Sequence, residues 1–197
     1  MSTDERPRLG RPPVTTHGHI EHAAFALFDT VGFEDTTIDA IAEAAGIGRR
    51  TLFRYFPSKN DIPWGRFDAS LADFRATLGA MPAELPTAEA VHRAVIEFNR
   101  FDPAALPQHR RRMRLLLTTP ALQAHSVLRY AQWRQVIAEH VATRSGQAPD
   151  DLLPRTVGHV SLAVSLSAYE QWLRDDDAAS LTDLLDAAFT GLRGYLR

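Results

Sequence analysis

In the stretch GIGRRTLFRYFPSKND, residues 46 to 61, four cations gather with no acid before Asp61: Arg49, Arg50, Arg54 and Lys59. Guanidinium forks suit two partners, the O6/N7 edge of guanine and the oxygens of a phosphate, and a threonine such as Thr51 can add a hydroxyl bond or a methyl contact to thymine. Arg54 and Tyr55 come one turn later, within reach of a flanking backbone. Lys59 follows Pro57 at the start of the next helical pattern, where unpaired N–H groups and the positive helix end favour a phosphate. Charge alone would favour a solvated helix face. Placement decides between the two.

Such a cluster reads nucleic acid only if a helix presents it. From His17 the apolar residues Ile20, Ala24, Leu27, Phe28 and Val31 recur at helical spacing, and Gly32 is a natural stop. Thr36 or Thr37 can cap a second helix carrying Asp39 in its first turn and Ile38, Ile41, Ala42 and Ala45 on one face, ending at Gly46. A third helix then sets Leu52 and Phe56 on its inner face and the arginines in its first turn, and Pro57 closes it. Ser58 and Asp61 form a capping-box-like start for a long fourth helix with Ile62, Phe67, Leu71, Phe74 and Leu78. A short helix, a glycine turn and a second short helix with a cationic start make a helix-turn-helix, whose second helix enters the major groove of double-stranded DNA.

The rest of the chain repeats the helical alternation over residues 87 to 101, 103 to 119, 120 to 144, 150 to 176 and 180 to 196, with no strand pattern. The expected fold is all-α with about nine helices: a mobile basic arm over 1–16 containing Arg6, Arg8 and Arg11, a DNA-binding domain over 17–62 and a second helical domain over 63–197. The 197 residues, 45% of them apolar, suffice for a real core. Without cysteine the chain has no disulfide, thiolate metal site or thiol nucleophile, which suits a reducing cytoplasm. No run is long enough to span a membrane, and no secretory leader pattern is present. Residues 1 to 65 hold nine acids against seven bases, so DNA affinity must rest on local placement rather than general basicity.

Enzymatic chemistry lacks its usual anchors: there is no phosphate-binding G-x-x-x-x-G-K-[ST], no G-x-G-x-x-G and no G-x-S-x-G. Of His17, His19 and His22, only the i, i+3 pair shares a helix face, and no carboxylate pattern joins it, so no metal is expected. Asp175, Asp176 and Asp177 read as a solvated loop, because adjacent residues do not converge. No cofactor is expected.

The segment TTIDAIAEAAGIGRRTLFRYFPSKND resembles the DNA-binding segment of the TetR family of bacterial repressors, strongly over about residues 15 to 65. Within that family GIGRRTLFRYFPSKNDIPWGRFD and RMRLLLTTPAL are similar to the branch associated with mycofactocin biosynthesis clusters. The resemblance implies DNA contacts at Thr37, Arg49, Arg50, Thr51, Tyr55 and Lys59. Phe53 stands where many relatives carry a tyrosine that meets phosphate, and Gly48 where a serine commonly starts the third helix.

The resemblance also implies a second domain that binds a small effector and forms a homodimer through its last two helices. Leu181, Leu184, Leu185, Ala188, Phe189, Leu192 and Leu196 supply a wide apolar face, and Gly158, Ser161, Ala163, Ser165, Ser167 and Ala168 keep the preceding helix thin enough for close approach. The same residues also suit an intrachain core. Trp64, Phe67, Leu71, Phe74, Phe98, Phe101, Tyr130 and Trp133 could wall an effector pocket or pack as ordinary core. In HRRRMR, residues 109 to 114, Arg111 could meet an anionic effector such as an acyl thioester of coenzyme A, against the plainer reading of a solvated helix face. The expectation is a repressor that binds a palindromic operator as a dimer and is released by such an effector, with the fourth helix as the lever between domains. The alternatives are an activator on the same scaffold, or a helical ligand-binding protein or enzyme with an incidental helix-turn-helix.

Overall fold

The computed structural model describes residues 16–174 and 179–196; the basic arm before Thr16 and the aspartates 175–177 lie outside the described residues. The chain divides into two compact units, Met1–Gly65 and Arg66–Arg197. Among the described residues there are nine α-helices and no strand.

In the first unit α1 (His17–Thr30) is capped by Thr16, whose hydroxyl accepts from the His19 N–H at 3.2 Å, and closes into Gly32 at φ 92°. α2 (Ile38–Ala44) is capped by Thr37, which accepts from the Ala40 N–H at 3.1 Å, while the Thr36 hydroxyl instead donates back to the Gly32 carbonyl at 2.6 Å. Gly46, at φ 62°, makes the turn into α3 (Arg49–Tyr55). Ile20, Ala24, Phe28, Phe33, Ile41, Leu52, Phe56 and Ile62 are buried and form the core that joins these helices. Two of the N-terminal histidines are tied into the unit: His17 meets the edges of Tyr55 and Phe56, and His19 Nε2 bonds the Ala45 carbonyl at 3.0 Å, while His22 is exposed.

The expected long fourth helix is two pieces. Lys59–Trp64 is a 3-10 segment, Gly65 turns at φ 56° and ψ −127°, and α4 proper is Phe67–Gly79. Pro63 has no N–H to give an α-helical ladder, and Gly65 takes a conformation that a side chain would disfavour. Consequently no continuous helix links the two units. The capping box does not form either: the Ser58 hydroxyl donates to the Asp61 carboxylate at 2.7 Å.

The Lys59 ammonium is spent inside the first unit. It donates to the carbonyls of Phe33, Glu34 and Thr36 at 2.7, 3.1 and 3.0 Å and lies 4.5 Å from the centre of the Phe33 ring. An ammonium has three N–H donors, so these bonds use all of them. The effect is to tie the α1–α2 connection to the residues that follow α3.

The second unit continues with α5 (Thr87–Phe98), a 3-10 turn Pro103–Ala105, α6 (Leu106–Thr118), α7 (Pro120–Ser145), α8 (Leu152–Arg174) and α9 (Leu181–Tyr195). α5 stops three residues earlier than its apolar pattern suggests, because Asn99 folds its side-chain amide back onto the Val95 carbonyl at 2.8 Å. The core runs from Leu71, Phe74 and Leu78 through Val95, Trp133 and Ile137 to Tyr169, Leu185 and Phe189. Four of the small residues of α8, Gly158, Ser161, Ser165 and Ala168, are buried within the chain, whereas Ala163 and Ser167 are exposed. A Cβ at Gly158 would lie 2.8 Å from the Arg134 carbonyl of α7.

A polar chain crosses this apolar interior. His109 Nε2 meets the Tyr169 hydroxyl at 2.8 Å, and that hydroxyl donates to Asn99 Oδ1 at 2.6 Å. Burial, and then the nearby Arg112 charge, push His109 down to about 4, while burial raises Tyr169. At the far side, Arg193 of α9 donates to Glu89 at 2.6 Å and to His92 Nδ1 at 2.7 Å, and together with Arg93 holds Glu89 down at about 2.

Two outcomes are expected. Lys59→Met keeps the hydrocarbon stem but leaves three carbonyls without their cation, and should cost the first unit about 1.5–3 kcal/mol, read as faster amide exchange over α2; unchanged exchange would contradict the tie. His109 binds its proton more weakly folded than unfolded, so between pH about 4 and 6.5 the unfolded chain holds more protons and stability falls as pH is lowered through that window. His92 and His140, both lowered first by burial, act in the same direction. His109→Gln should flatten part of that slope in denaturant titrations at pH 7 and 5, and an unchanged slope would contradict the assignment.

Candidate nucleic-acid interface

α3 is held from behind and open in front. Leu52 is fully buried and Phe56 nearly so, which fixes the rotation of the helix, and the opposite face carries the exposed Arg49, Arg50, Phe53 and Arg54. Arg50, Thr51, Phe53 and Arg54 line one open depression on that face. The seven-residue helix is too short to be stable alone. Its anchoring is tertiary, through Leu52 and Phe56 and through its link to α2.

The residues expected at DNA separate into groups. Arg50 and Arg54 are exposed and carry no short ion pair among the described residues, so their guanidiniums can turn to phosphate or base edges, with Arg54 lying 5.7 Å from the Tyr55 ring centre. Arg49 is partly committed: it bonds both oxygens of Asp39 on α2 at 3.2 and 3.3 Å and sits 5.5 Å above the Phe53 ring. That pair is about two-thirds exposed on both sides, so it orients Arg49 more than it stabilises the fold. Thr51 is half-buried beside the depression; Thr37 is exposed but uses its oxygen as the α2 cap, leaving its hydroxyl hydrogen for a contact. Tyr55 is half-buried against His17. Lys59 has its three donors on the backbone carbonyls of Phe33, Glu34 and Thr36, which braces the α1–α2 connection.

The expected effector residues are likewise sorted by packing. Phe74, Phe98 and Trp133 form one aromatic cluster, with centroids 4.8, 5.4 and 6.3 Å apart, and Leu71 joins the same core. Phe101 has left α5 and stacks on His109 at 3.8 Å, bringing it to the Asn99–Tyr169 chain. Phe67 is half-buried beside Arg129, and Tyr130 is half-buried with its hydroxyl raised by burial. Trp64 is buried but belongs to the first unit. Within the 109–114 run, His109 turns inward and Arg110 lies 4.8 Å over the Trp172 ring while bonding its carbonyl, whereas Arg111 and Arg112 are half-buried and Arg114 exposed. A wholly solvated face is therefore incorrect for the first two residues of the run. Asn99, His109, Tyr169 and Trp172 are not evident as a group in the sequence, since an isolated asparagine and histidine give no periodic signal; the i, i+3 pair Tyr169 and Trp172 is the available hint.

Among the described residues no group of three His, Asp or Glu is placed to hold a metal, and no helix is long and apolar enough to cross a membrane.

Comparison with known proteins agrees with this geometry. Residues 20–62 match the family model described as bacterial regulatory proteins of the tetR family, and residues 85–197 match the MftR C-terminal domain. The chain is 50% identical over 182 residues to the Mycobacterium tuberculosis protein assigned as its mycofactocin biosynthesis transcriptional regulator, MftR, covering 92% of this chain and 91% of that one. It is 32% identical to the regulator TcmR of Streptomyces glaucescens, over 92% of this chain and 84% of the relative. Among solved structures, the fold is similar to FadR of Bacillus halodurans, with a TM-score of 0.65 at 16% identity, covering 92% of this chain and all of that one. It is similar also to FadR of Thermus thermophilus, a TetR-family repressor solved with lauroyl-CoA, with a TM-score of 0.57 at 20% identity, covering 90% and 93%. The chain belongs to the TetR family of bacterial transcriptional regulators, with a second unit of the MftR C-terminal type.

Proposed function

We propose that this regulator is a repressor that binds a two-fold symmetric operator as a homodimer and leaves it when the second unit takes up an acyl thioester of coenzyme A. The observation that carries the DNA half of the reading is the outward face of α3, where Arg50 and Arg54 stand exposed on a helix whose rotation Leu52 and Phe56 fix. Arg50 reads a base edge, and Arg54, Thr51, Tyr55 and Thr37 hold the flanking backbone. Two such helices, one per protomer, address successive major grooves about 34–36 Å apart.

Dimer formation is supported by the apolar residues that α8 and α9 leave in solvent. Leu152, Leu153 and Val160 are exposed on α8, and Leu196 just beyond α9. The effector class is supported by an aromatic interior containing a buried polar chain, beside a helix that carries Arg110, Arg111, Arg112 and Arg114 within little more than one turn. The apolar interior suits an acyl chain, and the guanidiniums suit the phosphates of the nucleotide. The effector weakens DNA binding only as far as it prefers the conformation that does not bind.

Selection of bound duplexes from a random pool tests the reading. The expected outcome is an inverted repeat, from which Arg50→Ala removes about 1–3 kcal/mol of affinity while random DNA is affected far less. Equal losses on operator and random DNA would reject base reading by Arg50. Titration with acyl-CoA esters should release the operator, and release by none of them would remove this effector class while leaving the DNA reading in place.

A further inference from the structure

The recognition face contains one residue that neither a phosphate nor a hydrogen-bonding base edge can use. Phe53 is a large apolar side chain left 39% exposed at the middle of the cationic face. Its ring is flanked in the same depression by Arg50, Thr51 and Arg54, and Arg49, held by Asp39, lies 5.5 Å above it. A phenyl ring has neither donor nor acceptor. In the major groove the base edges offer acceptors, amino donors and a single apolar group, the C5-methyl of thymine.

We infer that Phe53 is a specificity-determining residue that packs on a thymine methyl in each operator half-site. The inference rests on the operator reading above and deepens it. Arg50 and Phe53 are three residues apart and share a helix face. Three residues advance a helix by about 4.5 Å, comparable with the ~3.4 Å between successive bases on a strand. The methyl contacted by Phe53 therefore belongs to a base pair one or two steps from the one Arg50 reads. Arg49 lies over the ring, and its own tie to Asp39 on α2 limits how far the two can move together.

Replacing thymine by deoxyuridine, one position at a time in the recovered operator, removes only the methyl and leaves base pairing intact. Wild type should lose roughly 3- to 10-fold in affinity at one thymine per half-site, the size expected for one buried methyl contact. Phe53→Ala should bind the thymine and uracil duplexes equally, and Phe53→Leu should retain part of the preference. Thr51→Ser, which removes the other methyl-bearing side chain on this face, should leave the preference unchanged. Circular dichroism checks that Phe53→Ala keeps its helix content, as an exposed site should allow. A wild-type protein indifferent to every uracil substitution, or a Phe53→Ala protein as sensitive as wild type, would overturn the role of Phe53. A chain that enriches no duplex at all would instead contradict the operator reading.

Discussion

The only lysine of the chain holds the DNA-binding unit in shape from within. A short helix-turn-helix depends on tertiary contacts, because helices of seven residues do not persist alone. Apolar burial of Ile41, Leu52 and Phe56 packs α2 and α3, and Phe33 anchors the loop that delivers α2 in the same core. The Lys59 ammonium ties that loop further by gathering the carbonyls of Phe33, Glu34 and Thr36, the last of which sits next to the residue that caps α2. Those carbonyls would otherwise need water, and a cation satisfies three with one group. The rotation of α3 itself is set by Leu52 and Phe56.

The second unit is ordered by a close helix approach and a polar chain. Gly158 lets α8 lie against the α7 backbone at a distance that any side chain would prevent. The buried Tyr169 hydroxyl, donating to Asn99 and meeting His109, links α6 and α8 to the end of α5 through a region otherwise filled by aromatic rings. A hydrogen-bonded polar chain in an apolar interior favours one arrangement of its helices, since a shift strands a buried polar atom.

Much of this is legible in the residues, and the failures have physical causes. Gly32 and Gly46 as stops, a cap at Thr36 or Thr37 that the structure settles on Thr37, and Leu52 with Phe56 as the inner face of α3 follow from local chemistry. Apolar spacing over-extends the fourth helix because it continues across Gly65, and periodicity cannot register one proline and one positive φ that divide it. The α8 stripe of small residues promises close packing without saying against which partner; Arg134 of the same chain takes that place. Lys59 has the position of a phosphate ligand, and only three-dimensional folding reveals carbonyls from residues far upstream converging on it.

A cationic, outward-facing α3 and a Lys59 bonded within its own unit divide the proposed interface into contacting and supporting residues. The slope of log affinity against log salt tests that division, because its magnitude is about 0.9 for every phosphate the protein neutralises. The measurement compares wild type with Lys59→Met on the recovered operator. A steep wild-type slope left unchanged by the substitution is the predicted result. A slope reduced by about one unit would place Lys59 on a phosphate, and a flat wild-type slope would contradict the electrostatic interface altogether.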